Sequence, residues 1–415
     1  MHSFITIHSN VRTNKLIGAT IAAMIAAAGH AVAAPPVEPA YDSPAPVTMS
    51  SAQATADAAA VNVQAAAAAT GKHLYVATTG SDANPGTQAK PLKTIARADA
   101  LASAGYTIHV APGIYKVAAP STGSAGIRTV KSGTATARIK FVSDTKWGAK
   151  IVFSGTGMAW NSKGAYVDIE GFDISGTGRI GILAEGGKEN ITKNFIHDLK
   201  VSGGCNGGGG AAIDAWGPGG GAVIDSNIVR NIGAQWVAGQ TCNTVQGIYV
   251  TNQKNRISNN VISGVAAVGI NSWHGATDST IVNNTIFASK MGIVIGHGDS
   301  GATSTGTRNN FVANNIVYKN AYGITEMGKV GGNNRYANNL VFDTGRSWLV
   351  KGTVTGTVAA NPQFRSYLQD GKGSYRLNSN SPAINKGTAT SAPQTDILGV
   401  ARSRGGAPDI GAYEF

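Results

Sequence analysis

The chain has 415 residues, of which only 13% are charged and 55 are glycine, and its formal net charge is +12. The lysines and arginines are spread singly, without a basic run or a known nucleic-acid-binding motif, so the charge does not indicate a nucleic-acid partner. A diffuse positive field instead suits a polyanion such as an acidic polysaccharide. The length would allow two domains, but one elongated domain can also account for it.

The N-terminal residues have the features of an export signal. Arg12 and Lys15 precede an apolar stretch from Leu16 to Ala28, and small residues for a cleavage site follow at 31–33. The stretch is short and rich in alanine, which favours cleavage over a retained membrane anchor. We therefore predict that residues 1–34 are a signal peptide and that the mature protein is secreted or periplasmic, without a membrane span.

The next segment, residues 35–71, is rich in proline and then in alanine, and we predict that it is a flexible linker. The folded domain is predicted to span residues 72–415. It opens with residues 75–97, which contain a strand, a Ser-Asp-x-Asn-Pro-Gly turn and a short helix.

Two short motifs recur with one period in the middle of the chain. The first is Gly or Ala followed by Ile, at Gly181-Ile182, Ala212-Ile213, Gly247-Ile248, Gly269-Ile270, Gly292-Ile293 and Gly323-Ile324. The second is Asn followed by two mostly β-branched residues, beginning at Asn194, Asn227, Asn260, Asn284, Asn315 and Asn339. The shortest steps are 22 and 23 residues for the first motif (247 to 269 to 292) and 24 for the second (260 to 284). A shared period predicts stacked rungs, and we predict an all-β fold, a right-handed parallel β-helix.

The residue types of the repeat fit this geometry. Asn tolerates the left-handed backbone of a sharp corner, and its amide can bond the equivalent amide of the next rung, so an internal asparagine ladder is predicted. Gly before each Ile suits another bend, where a side chain would collide with the adjacent turn. Strand alternation then directs each repeated Ile inward and the following residue outward.

The cysteines of the chain, Cys205 and Cys242, lie in insertions between rungs. They are 37 residues apart, close to the 35-residue step from Ala212 to Gly247, so they fall on neighbouring turns. We predict a disulfide between them in an oxidising compartment, with two free thiols as the alternative. Such a bridge would join two Gly-rich loops.

Both ends of the domain carry motifs known from one group of proteins. Residues 75–97 read YVATTGSDANPGTQAKPLKTIAR, 107–115 read TIHVAPGIY, 381–385 read SPAIN and 409–413 read DIGAY. Together with the rungs, these motifs resemble secreted bacterial right-handed parallel β-helix proteins, including family 9 polysaccharide lyases of the pectate lyase type. The resemblance implies a helix that caps the open end of the coil, and activity on polysaccharide. That family holds calcium with clustered aspartates beside a lysine base, and because this sequence shows no such Asp cluster, none of those roles is transferred.

Alignment of the rungs on their Ile predicts two columns of outward-facing residues. The column after the Ile consists of Leu183, Asp214, Tyr249, Asn271, Val294 and Thr325, and the next outward column of Glu185, Trp216, Thr251, Trp273, Gly296 and Met327. Asp214, Trp216, Tyr249, Asn271 and Trp273 fall on three consecutive rungs. Aromatic faces stack on pyranose rings and Asn and Asp bind hydroxyls, so we predict a glycan-binding patch there. The alternative is that the two tryptophans pack beneath the inserted loops.

The turns that follow these strands carry Lys254, His274, His297 and Asp299. The two histidines occupy the same aligned place on adjacent rungs, which predicts a pair at the wall of a groove. Insertions lengthen the rungs around the patch, at 203–210, 218–221, 233–244 and 298–307. Glu326 falls at an inward place and must either pair within the coil or mark a bulge.

The leading functional hypothesis is β-elimination on a uronic-acid polysaccharide, which requires neutralisation of the uronate carboxylate and a base for the C5 proton. In a version without metal, Asn271 and His274 neutralise the carboxylate, and Tyr249 or Lys254 takes the proton. A calcium version recruits Asp214 and Asp299 as metal ligands, with Lys254 as base. The cofactor is therefore expected to be either none or Ca²⁺.

Other functions on the same fold remain open. A glycoside hydrolase requires two carboxyls about 5 to 9.5 Å apart, for which Asp214 with Asp299 or with Asp225 are the candidates. A non-catalytic glycan-binding surface or matrix protein needs only the aromatic patch, and C5 epimerisation shares the proton-abstraction step. In every case the expected partner is a polysaccharide, acidic for the lyase and epimerase, and a monomer is expected.

Overall fold

The computed structural model describes residues 72–206, 208–233, 241–298 and 306–415. From residue 73 to residue 355 the chain winds as a right-handed parallel β-helix, and most turns contribute one strand to each of the sheets A, B and C. The predicted fold class is confirmed. Residues 1–71, with the predicted signal peptide and linker, lie outside the described part of the chain. Within that part no helix is long and apolar enough to span a membrane.

The three sheets are parallel, and most turns pass through sheets A, B and C in that order. Sheet A contains β1 (His73–Val76), β2 (Thr107–Val110), β5 (Ile139–Ser143), β8 (Val167–Glu170), β11 (Asn190–Thr192), β14 (Val223–Asp225), β17 (Arg256–Ser258), β20 (Thr280–Val282), β23 (Phe311–Ala313), β26 (Arg335–Ala337) and β29 (Thr353–Thr355). Sheet B contains β3 (Gly113–Ala119), β6 (Ala149–Gly155), β9 (Asp173–Gly178), β12 (Phe195–Val201), β15 (Ile228–Ile232), β18 (Val261–Val265), β21 (Thr285–Phe287), β24 (Ile316–Tyr318) and β27 (Leu340–Phe342). Sheet C contains β4 (Ala125–Thr129), β7 (Met158–Ser162), β10 (Ile180–Ala184), β13 (Gly210–Ala215), β16 (Val245–Val250), β19 (Val268–Ser272), β22 (Met291–His297), β25 (Tyr322–Gly328) and β28 (Arg346–Leu349).

The repeated isoleucines form one row in the core of the coil. In sheet C they pair rung by rung, and each is fully buried: Ile182, Ile213, Ile248, Ile270, Ile293 and Ile324. Rows from sheets A and B meet them in one continuous apolar cluster. The inward direction predicted for the repeated Ile is therefore confirmed, and burial of these side chains is the main source of stability in such a coil.

The predicted asparagine ladder runs inside the corner between sheets A and B. Each repeat Asn is 0% exposed, and Asn227 shows the pattern. Its backbone N–H and its Nδ2 both donate to Asn260 Oδ1, at 2.9 and 3.0 Å, and Nδ2 also donates to the carbonyl of Ile191 at 2.8 Å. One detail differs from the prediction, because the left-handed conformation falls on the residue before each Asn: Lys193, Ser226, Asn259, Asn283, Asn314 and Asn338.

The N-terminal end of the coil is closed by the helix α1 (Ile95–Leu101), as the resemblance implied. Thr94 caps the helix by accepting a hydrogen bond from the Arg97 N–H at 3.1 Å. Asp82 holds this cap in place, since its carboxylate accepts bonds from the Thr94 N–H and hydroxyl, both at 2.9 Å. Ile95 is buried, so the apolar face of the helix covers the first turn of the core.

The C-terminal residues leave the coil, although the sequence predicted a β-helix as far as residue 415. After β29 the chain forms an antiparallel pair, β30 (Phe364–Ser366) with β31 (Ser374–Leu377). This segment runs along the outer face of sheet B, where Phe364 and Tyr375 pack with Phe287 and Tyr318 in a second apolar cluster. It thereby buries the apolar outer residues of the last rungs.

Candidate active site

The outer face of sheet C carries the first predicted column in the expected register. Leu183, Asp214, Tyr249, Asn271, Val294 and Thr325 pair one after another across neighbouring strands. We call this row the outer column. Adjacent rungs are about 4.8 Å apart, so Tyr249 lies directly between Asp214 on one side and Asn271 on the other.

The outer column is buried, which corrects the prediction that its side chains face solvent. Asp214 is 1%, Tyr249 2% and Asn271 7% exposed. Sequence alternation correctly separates the two faces of each strand, but exposure depends on what other parts of the chain lie above the outer face. In this structure that face is covered rather than open.

The tryptophans take part in this covering. Trp216 is partly buried and packs on a small outer cluster of Met158, Ile180 and Leu183. Trp273 is 5% exposed, and its ring lies so close to Gly296 that any Cβ at that glycine would collide with it. Trp273 is thus packed against the next rung, contrary to the expectation of an exposed stacking surface.

Tyr249, His274 and His297 form a row of contacting rings. The ring centroids of Tyr249 and His274 are 6.2 Å apart, and those of His274 and His297 are 5.7 Å apart, with edge-on geometry in both pairs. The Thr307 hydroxyl fixes the turns beneath them, because it contacts the carbonyls of His274 at 3.1 Å and Gly296 at 2.7 Å. The two histidines therefore lie on adjacent rungs in contact with each other, and His274 adjoins Tyr249.

Asn271 is a buried amide without a hydrogen-bond partner among the described residues. Its Oδ1 is inaccessible to solvent and unbonded, and the same holds for the hydroxyl of Thr325 two rungs away. A buried polar group left unpaired destabilises the fold by roughly 1 to 3 kcal/mol, so such groups in native proteins call for an explanation. A ligand that supplies the missing partner accounts for Asn271, since an amide can donate to a carboxylate and accept from a hydroxyl.

Other predicted site residues lie further from this row. Lys254 is exposed and occupies the corner that leads into β17, where its N–H donates to the Thr277 carbonyl at 2.8 Å. Asp225 belongs to sheet A and accepts hydrogen bonds from Ser226 and Ser258, so it is not paired with Asp214. Asp299 lies outside the described residues.

The donor set for a calcium ion is incomplete in the part of the chain that the structure describes. No group of three His, Cys, Asp or Glu side chains converges there. Ca²⁺ takes six to eight oxygen ligands, most often with several carboxylates, and Asp214 is the carboxylate of the outer column. Asp299, the second ligand of the calcium version, lies outside the described residues, so the calcium version stays a prediction.

Glu326 pairs within the coil, which is one of the two alternatives predicted for it. Its Oε1 accepts from the Tyr336 hydroxyl at 2.7 Å and its Oε2 from the Lys351 N–H at 2.6 Å. β25 continues in register past it, without a bulge. Burial, together with this carboxylate, raises the pKa of Tyr336, so the phenol stays a hydrogen-bond donor.

The predicted disulfide is present between Cys205 and Cys242, whose Cα atoms are 5.0 Å apart. It joins the loop before β13 to the loop before β16, next to the strands that carry Asp214 and Tyr249. A crosslink over 37 residues restricts the unfolded chain and can stabilise the fold by about 3 to 4 kcal/mol. It also holds together the two insertions at the N-terminal side of the site.

Sequence reasoning missed an ionic cluster on sheet B. His197 lies between Asp173 and Asp198, with nitrogen–oxygen distances of 2.9 and 2.7 Å. Burial acts to lower the pKa of His197, but the bonds to the two carboxylates outweigh it and raise the pKa. Apart from the adjacent His197 and Asp198, the sequence gave no signal of this pairing, because Asp173 lies on the preceding rung. The cluster belongs to a different sheet from the outer column.

Comparison with protein families places the fold among known enzymes. Residues 74–231 match the model described as "Pel9A-like, right handed beta helix region". The chain resembles the family 9 polysaccharide lyases. Residues 218–364, which include most of the outer column, match a family described as a protein of unknown function, DUF1565. No curated protein sequence matches the chain.

Solved structures agree with the fold. A rhamnogalacturonan lyase superposes with a TM-score of 0.54 at 17% identity, covering 72% of this chain and 92% of its own. The pectate lyase Pel9A superposes with a TM-score of 0.53, also at 17% identity, covering 84% of this chain and 97% of its own. At this identity the likeness shows the β-helix architecture, and the chemistry has to be argued from this chain's own residues.

Proposed function

We propose that the protein is a lyase that cleaves a uronic-acid polysaccharide by β-elimination at the outer column of sheet C. The observation that carries the proposal is the unpartnered buried amide of Asn271, next to Tyr249 and the His274–His297 pair. The matched family model and the printed names of the two superposed structures support a polysaccharide substrate. Export through the N-terminal signal is part of the same proposal.

In the proposed reaction, Asn271 Nδ2 and His274 donate hydrogen bonds to the uronate carboxylate, which makes the C5 proton more acidic, and the unpaired Asn271 Oδ1 accepts a hydrogen bond from a sugar hydroxyl. Tyr249 in its phenolate form takes that proton. The electron pair of the broken C5–H bond forms the C4–C5 double bond. The bond from C4 to the glycosidic oxygen breaks, and its electron pair leaves with that oxygen. The Tyr249 hydroxyl then returns its proton to the departing oxygen, so one residue acts first as base and then as acid.

This assignment prefers Tyr249 over Lys254 as the base. Tyr249 adjoins both Asn271 and the histidine row, whereas the Lys254 side chain is exposed at a corner of sheet A. Because Tyr249 is only 2% exposed, the reaction also requires that groups above the outer column move apart for a polysaccharide to enter.

The test is an activity assay on a panel of polyuronides and neutral glycans that follows both unsaturated-uronide absorbance and reducing ends. We expect absorbance to grow on at least one acidic glycan, and Tyr249→Phe to reduce the rate at least about 100-fold because a proton-transfer group is lost. Tyr322→Phe, on strand β25 of the same sheet three rungs away and exposed, is the matched control and should retain full activity. Reducing ends without absorbance would instead indicate a hydrolase, and an active Tyr249→Phe enzyme would contradict the site.

A further inference from the structure

The last rungs of the coil enclose a cleft that the proposed reaction does not use. It has a volume of about 630 Å³, within the range of small-ligand sites. It lies at the corner between sheets C and A, and its lining comes from Asn309, Glu326, the turn 330–334, Arg335 and residues 351–353. We call it the C-terminal cleft.

Glu326 supplies an anionic acceptor at this cleft. On the preceding rungs its place is taken by Ala184, Ala215, Val250, Ser272 and Ile295, so the carboxylate departs from the repeat at the rung where the cleft begins. Each of its oxygens accepts one hydrogen bond, from Tyr336 and from the Lys351 N–H. A carboxylate has about four acceptor sites, so acceptor capacity remains for a ligand hydroxyl.

Two cations complete the lining. Arg335 lies over the ring of Phe311, with its guanidinium 5.1 Å from the ring centroid, and Lys351 follows the last strand of sheet C. Within the described ranges neither side chain forms an ion pair. A cleft with two unpaired cations beside one fixed carboxylate is complementary to a ligand that carries both a carboxylate and hydroxyl groups.

The C-terminal cleft lies on the rungs that follow the candidate active site along the coil. Thr307, whose hydroxyl contacts the His274 carbonyl, also pairs with Val330 at the edge of the cleft. Tyr249 and Glu326 lie three rungs apart, roughly 14 Å along the coil axis. This separation is short enough for one polysaccharide chain of a few units to reach from the outer column to the C-terminal cleft.

We propose that the C-terminal cleft is a second binding site for a uronate unit. Lys351 and Arg335 bind the carboxylate, and Glu326 accepts a hydrogen bond from a ring hydroxyl. The substrate class rests on the proposed function, but binding at this cleft does not require that the outer column be catalytic.

The experiment measures binding of hexameric oligouronides, one from pectate and one from alginate, by calorimetry in the Tyr249→Phe background so that turnover does not interfere. Lys351→Met and Arg335→Met should each weaken binding of the preferred hexamer at least about tenfold, as expected for loss of one charged hydrogen bond. Lys329→Met is the matched control, since Lys329 is exposed on the same turn but does not line the cleft. The Lys329→Met protein should bind the hexamer with unchanged affinity. Melting temperatures of all three variants establish that they are folded.

Equal affinities for the Lys351→Met and Lys329→Met proteins would overturn the proposal, as would the absence of hexamer binding. Dextran sulfate that competes as well as the hexamer would show a general anion surface and would also overturn it. If wild-type protein yields no unsaturated product while Lys351→Met still loses hexamer binding, the lyase proposal fails and the cleft proposal stands.

Discussion

At the scale of single residues, the buried asparagines fall into two chemical groups. Those of the ladder, such as Asn260, satisfy their amides completely, since Asn260 Nδ2 donates to the Ile224 carbonyl and to Asn284 Oδ1, both at 2.9 Å. Asn271, one strand away in the chain, has no such partner. The asparagine side chain thus stabilises the fold in the ladder and destabilises it at position 271. Of the two, only the unpaired amide of Asn271 indicates a ligand.

Asn260→Ala should destabilise the protein by at least about 3 kcal/mol, because it leaves the Asn227 N–H and the Ile224 carbonyl without their partners. Urea denaturation followed by circular dichroism measures the change. Asn380→Ala, at an exposed turn, is the control and should stay within about 0.5 kcal/mol of wild type. Equal midpoints for the two variants would mean that the ladder is not a source of stability.

Asn271→Val should have the opposite effect on stability. Val294 occupies the same column on the next rung, so the valine side chain fits this environment, and the variant removes an unpaired buried amide. We expect a gain of about 1 kcal/mol in unfolding free energy together with loss of lyase activity. A less stable variant, or one that keeps its activity, would show that Asn271 is paired by something other than substrate.

At the scale of elements, the capping helix carries a titratable group in its buried face. Burial raises the pKa of Asp99 to about 7, although a hydrogen bond with Thr129 and the charge of Lys131 act in the opposite direction. Thr129 also accepts a bond from Trp160 at 3.1 Å, so the carboxyl of the helix is connected to the core. Docking of α1 is therefore expected to depend on pH.

The direction in which stability changes with pH follows from the raised pKa of Asp99. In an unfolded chain the pKa of Asp99 has its ordinary value of 3.8, whereas burial in the folded chain raises this pKa to about 7. Protonated Asp99 therefore contributes up to about 4 kcal/mol to the free energy of unfolding. This contribution is complete at and below pH 4, decreases as the pH rises to 7 and is absent above pH 7.

Asp99→Asn should therefore reduce the loss of stability between pH 5 and pH 8, and urea midpoints at both pH values measure it. Asp278→Asn, which keeps its acceptor for Asn309, is the control and should follow wild type. Parallel pH dependence for wild type and Asp99→Asn would contradict the assignment.

At the scale of the whole molecule, the C-terminal segment and the coil form one folded unit. Arg402 is one of several polar connections, with Nη2 donating to Asn259 Oδ1 of the coil at 2.6 Å. Within the segment, its Nη1 lies 3.3 Å from Glu414 Oε2. Both side chains of this ion pair are only 2% exposed. A buried ion pair of this kind is strongly destabilising to break, because one charge is left without a partner.

Arg402→Met should lower the unfolding free energy by about 3 to 5 kcal/mol and expose the outer face of sheet B. Amide hydrogen exchange checks this, with faster exchange expected in residues 359–415 and in β21 and β24. Arg404→Met, two residues away and exposed, is the control. Unchanged exchange in the Arg402→Met protein would show that the apolar cluster and the other hydrogen bonds hold the segment without Arg402.

The sequence alone determined the coil, its period, the inward isoleucines, the asparagine ladder and the disulfide, because each follows from residues that recur at fixed short spacings. Tertiary structure decided the rest. The outer column is buried where Trp216 and Trp273 pack on neighbouring rungs, the last sixty residues fold back along sheet B, and Glu326 finds its partners in β26 and in the turn after β28. None of these contacts recurs at a fixed spacing in the sequence. Strand alternation therefore distinguishes the two faces of a strand but does not predict which residues cover each face.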